Sequence, residues 1–161
     1  MADALPCPAS GETVTESGAE TVHMTAGNYW EETVYAASPL DGLERTDTSA
    51  AFDWLELNFP VTGSKIDWRN VQGEHAHWEV DDDLQLASMA VGEVCRRMRP
   101  GSFVEHAGDG ISPYGVRFTD DGASEVVTAL LEVPEHHYFL AEDRSWMVVV
   151  TTEGDLDVVD L

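Results

Sequence analysis

Apolar positions over residues 1–26, a stretch rich in Ala, Ser, Thr, Gly and Glu, show little periodicity, whereas clear periods appear after it. The first part reads as a flexible leader, and residues 27–161 as a single globular domain. The clearest period lies in "DDDLQLASMAVGEVCRRMRPG", residues 81–101. Leu84, Ala87, Val91, Val94 or Cys95, and Met98 recur at three and four residues, which predicts a helix over about 82–99 with one apolar face. Asp81 to Asp83 supply an N-cap and negative charge at the positive end of the helix dipole. Arg96, Arg97 and Arg99 stand at its negative end, and Pro100-Gly101 stops it. "DDGASEVVTALLE" predicts a second, shorter helix over about 121–132, with Val126, Val127, Leu130 and Leu131 inward and Pro134 closing it.

Other segments carry the period of strands. "NYWEETVYAA", 28–37, is aromatic and β-branched and is read as a strand; "AFDWLELNF", 51–59, alternates imperfectly and fits a strand or a short helix, the strand being favoured, with Pro60 ending it. "SFVEHA" and "YGVRFT" look like a hairpin around a loop holding Pro113. "HHYFLA", "SWMVVVTT" and "DLDVVDL" follow as three successive strands. In "WMVVV", 146–150, both parities are apolar, the mark of a strand inside a sheet rather than at its edge. The pattern as a whole predicts an α+β fold, an antiparallel sheet of about five or six strands with both helices packed on it.

Charge narrows the function classes. The 161 residues hold 31 acidic side chains against 8 basic ones, a formal net charge of -23. Nucleic acid is a poor ligand for such a surface, because neutralising phosphates needs a basic patch. A basic partner is a good one, since the field speeds its approach; alternatively the acidity is only a solvation device shared with a whole proteome. Cys7 and Cys95 lack CxxC spacing and suggest a reducing compartment. No secretory or membrane-spanning pattern is found, so a cytoplasmic location without membrane contact is expected.

Motifs for chemistry are few. "GISPYG" is not GxSxG, since Tyr114 stands where the second Gly belongs, and neither a GxxxxGK[ST] loop nor a GxGxxG turn occurs. The expectation is a protein that is not an enzyme and needs no cofactor. His75 and His77 of "GEHAHWE" share one side of an extended chain and are the candidate metal ligands, with Glu79 beside them and His106, His136 or His137 as completing donors. A His/carboxylate metal-dependent enzyme is therefore the alternative. In "TTEGDLDVVDL", Glu153, Asp155 and Asp157 fall on one side of an extended chain. That carboxylate ladder either meets Lys and Arg of a partner or guards a sheet edge against aggregation.

The run "PEHHYFLAEDRSWMVVVTTEGDLDV" resembles the C-terminal strand-turn-strand of small bacterial immunity-type proteins from polymorphic toxin systems. There, a hairpin carrying an Asp and a Trp precedes a Thr-Glu-Gly-Asp element. The resemblance is confined to roughly the last 28 residues. It implies a non-catalytic protein of immunity or inhibitor type that neutralises a basic protein such as a toxin, with Asp143, Trp146, Glu153, Asp155 and Asp157 as the partner-binding residues.

Overall fold

The computed structural model of the chain describes residues 26–63 and 65–161, with side chains from Tyr29 onward. The expected leader therefore lies outside the described residues, Ala26 apart. In chain order the elements are α1 (Ala26–Thr33), β1 (Glu44–Thr46), α2 (Thr48–Asn58), the short strands β2 (Val61–Thr62) and β3 (Lys65–Ile66), a 3-10 turn at Trp68–Asn70, β4 (Glu74–Glu79), α3 (Asp83–Arg97), β5 (Phe103–Asp109), β6 (Gly115–Thr119), α4 (Ala123–Leu130), β7 (His136–Ala141), β8 (Trp146–Val150) and β9 (Asp155–Asp160). Seven strands form one antiparallel sheet in the order β1-β6-β5-β7-β8-β9-β4, and β2 pairs with β3 in a separate ribbon. The fold is α+β as expected, with one strand more than the upper expectation in its main sheet.

Two apolar layers clamp the sheet, which explains the double-sided apolarity of β8. Val148 and Val150 join Phe139, Leu156, Val158 and Val104 under α3 and α4. Met147 and Val149 join Leu140, Val159 and Ala107 under α2. Met147 and Val148 are both fully buried. Each such side chain contributes about 1.5–3 kcal/mol by leaving water, so β8 is fixed in place from both faces.

The helix α3 begins as its sequence demands, with Asp82 accepting from Gln85 N–H at 2.7 Å. Its buried stripe, however, is Leu86, Ala90 and Val94, and Leu84 is 83% exposed. Leu84 and Leu86 stand about 200° apart around the helix, so the face that buries Leu86 turns Leu84 to solvent. Arg97 does more than face the helix dipole: it binds Glu93 and reaches Asp160 on β9 at 3.0 and 3.1 Å. In α4, Ala123, Val126, Val127 and Leu130 are buried, while Leu131 is half-buried.

Neither 28–37 nor 51–59 forms a strand. Residues 51–59 lie mostly in α2, capped by Asp47, whose carboxylate accepts from Ser49 N–H at 2.9 Å. Ala51, Leu55 and Phe59 are buried at a spacing of four, the period of a helix that covers a sheet. The segment 28–37 forms the end of α1 and the turns after it, with Trp30 and Val34 packed one turn apart against the α3 side of the core. Tertiary packing overrides the β-preference of these side chains. No described helix is long and apolar enough to cross a membrane.

Candidate functional site

Pairing of β4 with β9 sets His77 opposite Asp157 and Glu79 opposite Asp155. His75, two residues back, shares their face, the one under α2. Asp157 is 1% exposed, and its Oδ1 lies 2.8 Å from both His75 Nε2 and His77 Nδ1. An ionised carboxylate only accepts, so each ring donates from that nitrogen. In neutral His77 the lone pair is therefore on Nε2, which faces Glu79 Oε1 and Asp155 Oδ1, each at 3.9 Å. The hydrogen bond to Asp157 pushes the His77 pKa up against the opposing effect of burial, with the charges of Asp157, Asp155 and Glu79 adding to the rise. Trp68 stacks on His75, ring centroids 4.6 Å apart and planes 7° from parallel.

A cleft of about 450 Å³ opens beside this cluster, lined by Thr62, Lys65, Ile66, Asp67, Trp68, Arg69, His75 and His77. A recess of about 90 Å³ continues it toward His136, Tyr138, Asp155 and Asp157. The far wall is the β2–β3 ribbon and the turn after it. Asp67 holds that turn, accepting from Asn70 Nδ2 at 2.7 Å and Arg69 N–H at 3.3 Å. These bonds, Asn70's foremost, lower its pKa.

The five residues expected to meet a partner fall in different places. Glu153 is exposed in the turn between β8 and β9, 3.0 Å from Lys65 Nζ. Asp155 is half-buried, and its Oδ2 accepts from Thr151 Oγ1 at 3.2 Å. Asp157 shares their side, but it is buried beneath His75 and His77, so the ladder does not run along the surface. Asp143 lies in the turn between β7 and β8, accepting from Ser145 N–H at 3.1 Å and Ser145 Oγ at 2.6 Å. Trp146 is 8% exposed and belongs to the core under α3. Its ring is therefore no surface anchor, because the inward parity of β8 claims it.

The histidines separate as strand alternation requires. His136 is on the cleft side, its Nδ1 3.8 Å from Glu153 Oε2. His137 and His106 lie on the opposite face, buried, and so are no ligands for His75 and His77. They pair with each other, His106 Nε2 to His137 Nδ1 at 2.9 Å, and His137 Nε2 is 2.8 Å from the Val133 carbonyl oxygen. The carbonyl only accepts, so His137 carries its proton on Nε2 and receives on Nδ1 from His106. Burial pushes both pKa values down, that of His106 well below the usual 6.5. Beside them Glu135, 5% exposed, takes the amides of Ile111 and Ser112 at 2.7 and 2.9 Å and the Ser112 hydroxyl, pinning the loop between β5 and β6.

Charge is sorted along the strands. Where β4 and β5 finish and β7 and β9 begin stand Glu79, Asp109 and Asp155, joined by Glu153 and by Asp81, Asp82 and Asp83 at the start of α3. Lys65 reaches this end and is held by Glu153. Arg96, Arg97, Arg99 and Arg144 lie at the other end, where α3 and β9 finish and β7 turns into β8, among Glu74, Glu93, Glu142, Asp143 and Asp160, so that end is mixed in sign. Seven of the eight basic side chains have a carboxylate oxygen of this chain within 3.5 Å. No protein-family model matches the chain, and no match is found among curated proteins or solved structures.

Proposed function

We propose that the chain is a non-catalytic binding protein of immunity or inhibitor type that engages a basic protein partner such as a toxin. The observation that carries this reading is the sorting of charge. Nearly every base is engaged inside the molecule, so the carboxylates of Glu79, Asp81, Asp82, Asp83, Asp109 and Asp155 form an acidic end with little internal compensation. Such a surface accelerates encounter with a cation-rich face and rejects polyanions. The acidic end replaces the sequence-based set as the contact surface: Glu153 and Asp155 stay in it, while Asp143 stands at the opposite end.

The test uses the basic protein that co-purifies with the full chain at low salt, with association followed by stopped flow. Asp81→Asn, Asp82→Asn, Asp83→Asn and Glu153→Gln together are expected to slow association about tenfold or more at low salt and to flatten its salt dependence. Asn at residue 82 preserves the helix cap. Asp121→Asn with Glu125→Gln, at the other end, should change the rate far less. Equal slowing by both sets, or by neither, overturns the reading.

A further inference from the structure

His77, Glu79 and Asp155 each offer one ligand atom, all within 4.8 Å of one another. Donors bound to a tetrahedral zinc ion at about 2.0–2.2 Å stand roughly 3.3–3.6 Å apart. The 3.9 Å separations of His77 Nε2 from Glu79 Oε1 and Asp155 Oδ1 are slightly wider. Glu79 is free to close in, because its side chain is 83% exposed.

Exposed acids near a histidine are common, but two constraints set this group apart. The first is the aim of the imidazole. Asp157, buried and fixed by two histidines, holds His77 through Nδ1 and turns the Nε2 lone pair toward the two carboxylates. A buried carboxylate behind a ligating histidine is the outer support that metal sites use to fix tautomer and ring orientation. The second is the orientation of Asp155. Thr151 Oγ1 donates to its Oδ2, and Asp155 N–H donates back to Thr151 Oγ1 at 3.1 Å, leaving Oδ1 to face His77. One imidazole and two carboxylates also balance the charge of a divalent cation. The nitrogen donor favours zinc and similar transition metals over calcium or magnesium, which take oxygen ligands.

We propose that His77 Nε2, Asp155 Oδ1 and Glu79 Oε1 form a divalent metal site suited to zinc, with Asp157 orienting His77. Three protein ligands leave the fourth position of a tetrahedral ion to water or to an oxygen or nitrogen donor on a molecule in the adjoining cleft. The site stands whether or not the chain binds a basic partner.

The test is titration of the full chain, stripped with chelator and dialysed, with zinc chloride by calorimetry and with cobalt(II) by visible absorption. One equivalent of zinc should bind with a dissociation constant of about 10 μM or below. His77→Ala and Asp155→Asn should each weaken it about tenfold or more. His136→Ala, on the same face but outside the ligand set, should leave it unchanged. In the long-range nitrogen-15 spectrum, His77 Nε2 should shift on zinc addition. Absence of one-to-one binding at about 100 μM zinc overturns the proposal. So does equal binding by the well-folded His77→Ala and Asp155→Asn variants.

Discussion

Acidification should destabilise this protein through its buried histidine pair. His137 donates to the Val133 carbonyl and accepts from His106, whose Nδ1 has no hydrogen-bond partner among the described residues. A proton added at His106 Nδ1 would be a buried donor without an acceptor. One added at His137 Nδ1 would confront the His106 N–H. Both rings therefore stay neutral while the unfolded chain, with histidines near 6.5, takes up protons. Their folded pKa values lie below the unfolded ones, so their contribution is fully present above about pH 6.5 and is lost as pH falls below it. Each proton bound only by the unfolded state costs about 1.4 kcal/mol per pH unit. From pH 7.0 to 5.5 that integrates to about 1.3 kcal/mol per histidine and to at most ~2.5 kcal/mol for the pair. Urea denaturation followed by tryptophan fluorescence measures this, and His106→Phe isolates it. The variant should start roughly 1–3 kcal/mol less stable at neutral pH, because His137 Nδ1 loses its donor. The gap to the wild-type protein should then narrow by about 1.3 kcal/mol by pH 5.5. Subtraction removes the other titrating groups, including His77, whose raised pKa acts in the opposite sense, stabilising in acid and losing that effect as pH rises. Parallel curves for the two proteins would refute the reasoning, as would an Nδ1–H tautomer of either ring in the NMR spectrum at neutral pH.

Two further outcomes follow from single contacts. Arg97→Met removes the charged hydrogen bonds joining α3 to Asp160 on β9 and leaves Glu93, whose side chain is 13% exposed, without that partner; a loss of about 2 kcal/mol in urea unfolding is expected, and an unchanged midpoint would contradict it. Gly154→Ala places a Cβ 2.6 Å from the Val80 carbonyl oxygen at a φ of +94°; the cost should be about 1–3 kcal/mol, with faster exchange of the Val80 amide, which donates to Gly154 O at 2.9 Å.

Much of the architecture is visible in the sequence because it rests on local rules. Asp82 and the arginines bracket α3, and the apolar run 146–150 announces a strand covered on both faces. Helix α2, the less favoured of the two readings of 51–59, has local signals of its own: Asp47 before Thr48 and Ser49 is an N-cap signal, and Ala51, Leu55 and Phe59 keep a spacing of four. The imperfect alternation of Phe52, Trp54 or Leu55, Leu57 and Phe59 imitates a strand and masks that period. The site was half visible. Strand alternation puts His75 and His77 on one side, but their anchor, Asp157, is 80 residues from His77 and meets it only through the pairing of β4 with β9. Alternation likewise groups Glu153, Asp155 and Asp157 without revealing that the last is covered. The contact of His106 with His137 depends on strand register, which no local pattern encodes.

The end-to-end sorting of charge gives the molecule an electric dipole along its strands as well as a net charge. Net charge draws a cationic body closer from any side; a dipole also exerts a torque. A basic partner drifting within a Debye length, about 8 Å at physiological salt, would turn this protein before touching it, bringing round the end where α3 begins. Fewer encounters are then spent on the arginine-bearing end, and raising the salt should erode the orientation of collisions along with their number.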